Sequence, residues 1–201
     1  MGLRDLKKAR TRQLIAETAA RLFAERGYEQ VTVGEIARAA EVAEQTLYNY
    51  FPSKEQLVTD REEEVQQRLV ELVRARPAGT SPAAAIRDFV LESVSGIGDM
   101  PPELAAGTIG HLATISPAVH RIVLELTDRQ ATALAEAIGA TSPVPPEIAR
   151  LRGAALAGVF HFVIGESGRL IRAGRTGPEI AGTLRPKVEN ILAELDRWPA
   201  D

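Results

Sequence analysis

The stretch TVGEIARAAEVAEQTLYNYFPSKEQL, residues 32–57, decides the fold of this chain. Thr32 is followed three residues later by Glu35, which is the spacing of a capping box, and this predicts that a helix begins here. Apolar residues then recur at helical spacing and give that helix one buried face. Residues 41–43 are too few for anything but a tight turn. A second short helix is therefore predicted over residues 44–50.

The second helix has two chemically different faces. On a period of 3.6 residues its inward positions are Leu47, Tyr50 and Phe51. Its outer face is a polar strip made of Gln45, Tyr48 and Asn49. Because another helix is predicted upstream, this helix is numbered α3, and the strip is called the α3 strip below. Two helices around a tight turn are how a protein offers one helix face to a DNA groove. A small three-helix core without a DNA role has the same spacing, but a tyrosine on an outer face favours the DNA interpretation, since Lys and Glu are commoner on solvated surfaces.

The flanking residues complete the pattern. Upstream, an apolar stripe at i, i+3, i+4 spacing predicts a first helix; it consists of Leu14, Ile15, Thr18, Ala19, Leu22 and Phe23. Gly27 stands where a helix C-terminus needs a left-handed residue. Downstream, Pro52 cannot continue the second helix, and Ser53 with Gln56 repeats the capping spacing. Three helices therefore fit into residues 8–51, and a further helix begins at Ser53.

Residues 8–57, and above all the string TLYNYFPSKE at 46–55, resemble the DNA-binding domain of the tetracycline-repressor (TetR) family. The resemblance covers about a quarter of the chain. It implies an all-α homodimer in which residues 1–52 form a three-helix, helix-turn-helix DNA-binding domain with a basic N-terminal arm. Residues 53–201 would then form a larger helical domain for effector binding and dimerisation. By the same resemblance, the protein is a repressor that a small apolar effector releases from a palindromic operator.

The residues expected to contact DNA follow from both lines of reasoning. They are Thr32, Gln45, Thr46, Tyr48, Asn49, Tyr50 and Lys54. The start of the helix at Thr32 and the cation of Lys54 would meet phosphates. The Thr46 and Tyr50 hydroxyls are phosphate donors by family analogy. The α3 strip would meet base edges, because Gln and Asn pair bidentately with adenine and a Tyr ring contacts the thymine methyl.

Three residues depart from the family pattern. Glu41 stands where Gly is common, and Ala43 where Ser or Thr is common, so the second helix lacks a hydroxyl cap; this typically forfeits about 1 kcal/mol. Glu44 places a negative charge at the end of that helix nearest DNA. It would either accept a hydrogen bond from a cytosine amino group or pair with a nearby Arg and disfavour non-specific binding. The second interpretation is preferred.

Composition and charge bound the function. The chain has 201 residues, a formal net charge of −3 and no cysteine, which excludes disulfides, thiol nucleophiles and thiolate metal sites. The basic residues of positions 1–12 are Arg4, Lys7, Lys8, Arg10 and Arg12, against Asp5 alone. This arm either contacts the DNA backbone or minor groove or is a frayed, solvated tail. The N-terminus is charged and has no signal-peptide pattern, and we expect a cytoplasmic protein without a membrane partner.

The remainder is predicted to be helical. Helices are expected over about 53–76, from Ser81-Pro82 to Gly96 and Gly98, from Pro101 through Leu112, from Ser116-Pro117 to Gly139, over about 147–173, and from Gly177-Pro178 onward, where Pro186 must kink or split the last one. The helix over 147–173 is apolar almost all round, with small residues that let another helix approach, and it is the predicted dimer element. A central helix of a monomer has the same pattern.

The effector site is expected on segments that line the pocket in similar proteins. The candidate residues are Phe89, Met100, His111, Leu112, Ile115 and Phe160, which predict an apolar ligand with few polar anchors. His111, His120 and His161 lie on separate helices without paired spacing, so no metal and no cofactor are expected. The competing class is a helical small-molecule or acyl carrier, which leaves residues 32–57 unexplained. An enzyme is not expected, because the chain has no phosphate-binding Gly loop and no nucleophile elbow.

Overall fold

A computed structural model describes residues 2–198, and within them the chain is helical with no strand. The ten helices are α1 (Leu3–Arg26), α2 (Val33–Ala39), α3 (Glu44–Tyr50), α4 (Gln56–Arg74), α5 (Pro82–Gly98), α6 (Pro102–Ala105), α7 (Ile109–Ala113), α8 (Pro117–Gly139), α9 (Pro146–Arg172) and α10 (Gly177–Asp196). The predicted all-α class is confirmed. Bounds of α2, α3, α5, α8 and α9 agree with the sequence prediction to within a residue or two.

Side-chain caps set several of these starts. The Glu35 amide donates to Thr32 Oγ1 at 3.2 Å, and the Thr32 amide donates back to the Glu35 carboxylate at 2.8 Å, so the predicted capping box is formed. The Ala84 amide donates to Ser81 Oγ at 3.0 Å at the start of α5. At the start of α8 the Val119 amide donates to Ser116 Oγ at 3.1 Å. In each case a free amide of the first turn is satisfied locally, because a short polar side chain precedes it.

The first helix departs from the prediction in two ways. It begins at Leu3 rather than near residue 8, so the basic segment belongs to the helix, which is longer by about one and a half turns, and is not a frayed arm. The side chain of Leu14 is 47% exposed, although the stripe placed it inside; Ile15 beside it is fully buried. Leu14 lies at the edge of the apolar stripe, and α1 turns only a narrow face to the core.

Elsewhere, three boundaries differ. Helix α4 begins at Gln56 and not at Ser53, whose hydroxyl accepts from the Gln56 amide at 3.4 Å. The helix predicted from Pro101 is broken into α6 and α7 around Gly107. A Cβ at Gly107 would stand 2.0 Å from the Ala20 carbonyl oxygen, so the break lets α1 lie directly against this backbone. Pro186 does not split α10, and both Pro186 and Gly182, whose carbonyl it leaves unpaired, are exposed to solvent.

Two buried clusters organise the packing. One joins α4, α5, α8, α9 and α10 and contains Leu69, Ile86, Leu134, Leu156 and Leu184. The other contains the cores of α1, α2 and α3, and it continues into α7 and the first half of α8 through Ile109, Leu112, Val119, Val123 and Leu126. The first three helices therefore share a core with the rest of the protein. The division at residue 52 stays a proposal about chain organisation.

Candidate nucleic-acid interface

The α3 strip lies on the protein surface. Gln45, Tyr48 and Asn49 are all exposed, and the Tyr48 side chain, at 43%, is one of the few large exposed hydrophobic groups. On the opposite face Leu47 is fully buried, as is Phe51 just beyond the helix. Gln45 Nε2 donates to Asn49 Oδ1 at 3.4 Å, so two amides sit one turn apart on the same side. The structure thus brings the three predicted base-reading residues together.

The turn before α3 carries backbone strain. Glu41 has a φ of 55°, which is the left-handed region that favours glycine. The Val42 amide donates to the Ala37 carbonyl at 2.9 Å and closes the turn. The departure from Gly at position 41 therefore falls on the one non-glycine residue with a positive φ among residues 2–198. Ala43 gives α3 no side-chain cap, as predicted.

The four predicted phosphate contacts are less uniform. Thr32 is exposed, but its hydroxyl already bonds Glu35. Thr46 and Tyr50 are half-buried. The Lys54 ammonium donates to the Tyr28 carbonyl and lies 4.2 Å from the centre of the Tyr28 ring. Burial lowers the pKa of Lys54, and burial, followed by the charges of Glu55 and Glu29, raises the pKa of Tyr28 to about 12. Lys54 is thus partly occupied in holding the α1–α2 connection.

Glu44 lies against the start of α2. A Cβ at Gly34 would stand 2.5 Å from Glu44 Oε1, so the absence of a side chain at Gly34 makes room for the carboxylate. Glu44 is exposed. Within residues 2–198 it forms no ion pair with an Arg or Lys. The preferred interpretation, a pair with a nearby Arg, is therefore not seen.

Arg12 has a role that sequence reasoning missed. Its Nη1 donates to the Tyr50 carbonyl at 2.8 Å, and its Nε and Nη2 donate to the Asp60 carboxylate. The guanidinium carbon lies 4.6 Å from the centre of the Phe51 ring. Arg12 had been grouped with the basic arm, but here it joins α1, the end of α3 and α4. Arg4, Lys7, Lys8 and Arg10 remain exposed on the first turns of α1.

The six predicted effector residues are divided between the two buried clusters and the surface. Leu112 is fully buried in the cluster shared with α1–α3, whereas Phe160 is buried in the other cluster and Phe89 packs against it. Met100 and His111 are half-buried, and Ile115 is 49% exposed. His111 Nδ1 is buried without a hydrogen-bond partner among the described residues, and burial, then Arg172, lowers the His111 pKa. Their shared role stays a prediction.

An open groove of about 690 Å³ runs between α4 and α5. Val65, Leu72 and Phe89 form its apolar floor, and its rim carries cations and carboxylates; these are Arg61, Arg68, Glu64, Asp88 and Glu92. Close by on α4, burial raises the pKa of Glu62 against the opposing charge of Arg61. The sequence does not predict this groove, because the way in which α4 and α5 pack against each other has no local sequence signature.

Other kinds of site find little support. Among residues 2–198 no group of three or more His, Cys, Asp and Glu is placed to hold a metal ion. His161 Nδ1 lies 3.1 Å from Thr127 Oγ1, so this histidine has a hydrogen-bond partner within the protein. By length and composition, α9 is the one described helix apolar enough to cross a membrane. The core helix of a globular bundle passes the same test, so this is weak evidence for a membrane span.

Comparisons with known proteins agree with the geometry. Residues 15–60 match the model of the tetR family of bacterial regulatory proteins. The transcriptional regulator TcmR of Streptomyces glaucescens is 29% identical over 150 residues, which are 75% of this chain and 62% of that protein. The matched part of the chain covers less than two thirds of the length of TcmR, and the same holds for two further curated relatives.

Solved structures share the fold. NalD, the secondary repressor of the MexAB-OprM efflux pump in Pseudomonas aeruginosa, aligns with a TM-score of 0.55 at 17% identity, over 96% of this chain and 98% of NalD. Thermus thermophilus FadR, in complex with lauroyl-CoA, aligns with a TM-score of 0.51 at 24% identity, over 91% and 93% of the two chains. The matched segment 15–60 holds the helix-turn-helix and the α3 strip. Residues 15–60 thus form a DNA-binding segment of the tetR family of bacterial regulatory proteins.

Proposed function

We propose that the protein is a ligand-responsive regulator that binds a palindromic DNA operator as a homodimer and is released by a small, predominantly apolar effector. The observation that carries this proposal is the α3 strip: two amides and a phenol ring, exposed on one side of a helix that fully buries Leu47 on its other side. The match of residues 15–60 to a family of bacterial regulatory proteins supports it. The expected surroundings are the cytoplasm, with no cofactor.

Each DNA-reading role follows from the exposed groups. Gln45 and Asn49 would pair with adenine edges and Tyr48 would contact a thymine methyl. Thr32, Thr46 and Tyr50 would contact phosphates. Lys54 would also contact a phosphate, through the ammonium hydrogens that do not bond the Tyr28 carbonyl. The exposed Arg4, Lys7, Lys8 and Arg10 would lie near the flanking backbone, where cations are favoured for any sequence.

A second copy is proposed to cover the outer face of α9. Leu151 is 58% exposed, and Ala154, Gly158 and Gly165 continue the same stripe at helical spacing. Added Cβ atoms at Gly158 and Gly165 would meet nothing within 4 Å, so packing within one chain does not explain these glycines. Glycine weakens a helix interior by about 1 kcal/mol relative to alanine, which makes a close-approaching partner helix the simplest reason for both. Two linked reading heads also match a two-fold operator, with half-sites roughly 34–36 Å apart.

The effector would act by favouring a dimer in which the two α3 strips are wrongly spaced. DNA and effector affinities must then oppose each other reciprocally. Phe89, Met100, His111, Leu112, Ile115 and Phe160 remain the proposed contacts, with His111 Nδ1 as a polar anchor. Acyl-thioesters belong in a screen, together with small apolar acids, dyes and drugs.

A binding experiment tests the proposal. The protein is titrated onto labelled DNA from upstream of its own gene and onto a scrambled duplex, at several salt concentrations. We expect tighter binding to the upstream DNA, weakened by salt as phosphate contacts require. Equal affinity for both duplexes would instead favour the helical carrier. In parallel, Leu151→Glu should yield monomers in sedimentation and lose operator binding, whereas a wild-type monomer at micromolar concentration would overturn the dimer.

A further inference from the structure

Three helices meet at the side chain of Arg12. The residue lies on α1, its Nη1 donates to the carbonyl of Tyr50 at the end of α3, and its Nε donates to Asp60 on α4 at 3.2 Å. A second bond to Asp60 makes the carboxylate contact two-pronged. The Arg12 side chain is 39% exposed and that of Asp60 18% exposed, so the pair is partly shielded from water. Phe51, directly after α3, lies beneath the guanidinium.

The chemistry of these contacts suits a fixed geometry. A guanidinium is planar and carries five donors in a rigid fork, which a lysine ammonium cannot reproduce. One prong meets a carbonyl at a helix C-terminus, where the helix dipole is negative. The other prong meets a carboxylate, and such paired, charge-assisted bonds are strong as well as directional. The arrangement therefore sets the angle between α3 and α4, not only their proximity.

The angle between α3 and α4 matters because α3 is short and α4 is long. Helix α3 spans seven residues, and Leu47 and Phe51 are its fully buried contacts. Helix α4 spans nineteen residues and packs against α8. A change in the angle at the Arg12 contact would move the α3 strip relative to the bulk of the protein, and in a dimer it would move the two strips relative to each other.

We propose that Arg12 is a positioning residue for DNA reading, which fixes the α3 strip relative to α4 through Tyr50 and Asp60. This inference rests on the proposed function. It replaces the simpler reading of Arg12 as one more cation of the basic segment that meets a phosphate.

Asp60 separates these two readings, because they predict opposite signs. If the charge of the head alone governs affinity, Arg12→Gln weakens DNA binding and Asp60→Asn strengthens it. If the contact positions α3, both substitutions weaken operator binding. The matched controls are Arg10→Gln on α1 and Glu63→Gln on α4, both exposed and without an ion pair among residues 2–198.

Operator and scrambled-duplex affinities are measured for the full-length wild type and these variants. We expect Arg12→Gln and Asp60→Asn each to weaken operator binding about tenfold, the size typical of a lost charged hydrogen bond, while scrambled-duplex affinity changes less than about twofold. The double variant should lose no more than the worse single variant, because both remove one shared contact. Arg12→Lys should recover part of the loss. Glu63→Gln should leave operator discrimination unchanged.

Operator binding by Asp60→Asn that equals or exceeds wild type overturns the inference. So does a loss that follows the thermal unfolding midpoint and disappears on cooling, because that is a stability effect alone. A wild-type protein that does not discriminate the operator from the scrambled duplex overturns the proposed function, and the role of Arg12 with it. Selective wild-type binding with an unweakened Asp60→Asn overturns the Arg12 role only.

Discussion

The outer faces of α3 and α9 are both exposed, yet they differ in kind. The α3 strip is short and polar. Each of its side chains carries hydrogen-bond donors, acceptors or a ring, and these groups indicate which base edges it can contact. The outer face of α9 is long and apolar. It contains the exposed Leu151 and two glycines without neighbours, Gly158 and Gly165, and these residues do not indicate the chemistry of a partner. An exposed polar strip can therefore be interpreted residue by residue, whereas an apolar face indicates only that something covers it.

The largest expected effect is the difference in the free energy of unfolding between glycine-to-alanine substitutions on the inner and outer faces of α9. A Cβ at Gly168 would stand 2.0 Å from the Gly110 carbonyl oxygen of α7, whereas a Cβ at Gly158 meets open space. Gly168→Ala should thus force α7 and α9 apart and lower the free energy of unfolding by about 1–3 kcal/mol, as overpacking does. Gly158→Ala is the matched control. Urea unfolding of both variants and the wild type measures the difference.

The same pair of variants sharpens the assignment of the outer face. In a free monomer, Gly158→Ala should raise helix stability by about 0.5–1 kcal/mol. If a second copy packs there, the added methyl group should weaken dimerisation instead, seen as a larger dissociation constant in sedimentation. A stabilised variant that dimerises as tightly as wild type would argue against close helix approach at this glycine.

The α3 strip supplies the next effect in size. Gln45→Ala should relax selectivity at one base pair of the operator and cost about 1–3 kcal/mol there, because one base contact is lost. Thermal stability should hardly change, since Gln45 is exposed. Lys54→Gln is the contrasting variant: it should weaken binding to all sequences, and it should also lower stability because Lys54 bonds Tyr28.

Competition binding with single-base operator variants is the suitable measurement. If Gln45→Ala kept full selectivity at every position, Gln45 would lose its base-reading role. Unfolding curves in the same buffer separate this result from any effect of Lys54→Gln on the fold.

How far the sequence reaches differs between the two regions. The capping box at Thr32, the turn at 41–43 and the faces of α3 were predictable because they depend on residues three or four apart. The contact of Arg12 with Asp60 joins residues 48 apart in sequence, and the break at Gly107 depends on Ala20. Such packing has no local signature. For the same reason the effector residues were named by analogy and not by pattern.

The capping boxes at the starts of α2 and α10 provide the smallest expected effect. The Glu35 carboxylate accepts from the Thr32 backbone amide first, then from the Thr32 hydroxyl and from Arg26, and these bonds lower its pKa to about 2. Bonds from Thr176 likewise lower the pKa of Glu179 at the start of α10. A carboxylate whose pKa is lower in the folded than in the unfolded protein stabilises the fold at any pH above its unfolded-state pKa. This stabilisation is lost as the pH falls through its folded-state pKa.

Glu35→Gln should therefore lower the unfolding midpoint at pH 7, and the gap to wild type should close between about pH 4.5 and pH 2. Glu179→Gln should change the unfolding midpoint in the same direction through the capping box of α10, which makes it the internal control. The Glu35 side chain is 31% exposed and Glu179 is exposed, so salt and water weaken each contribution. A gap that stayed constant down to pH 2 would mean that the lost interaction does not depend on the charge of Glu35, and the neutral amide geometry of the cap would then be the stabilising feature.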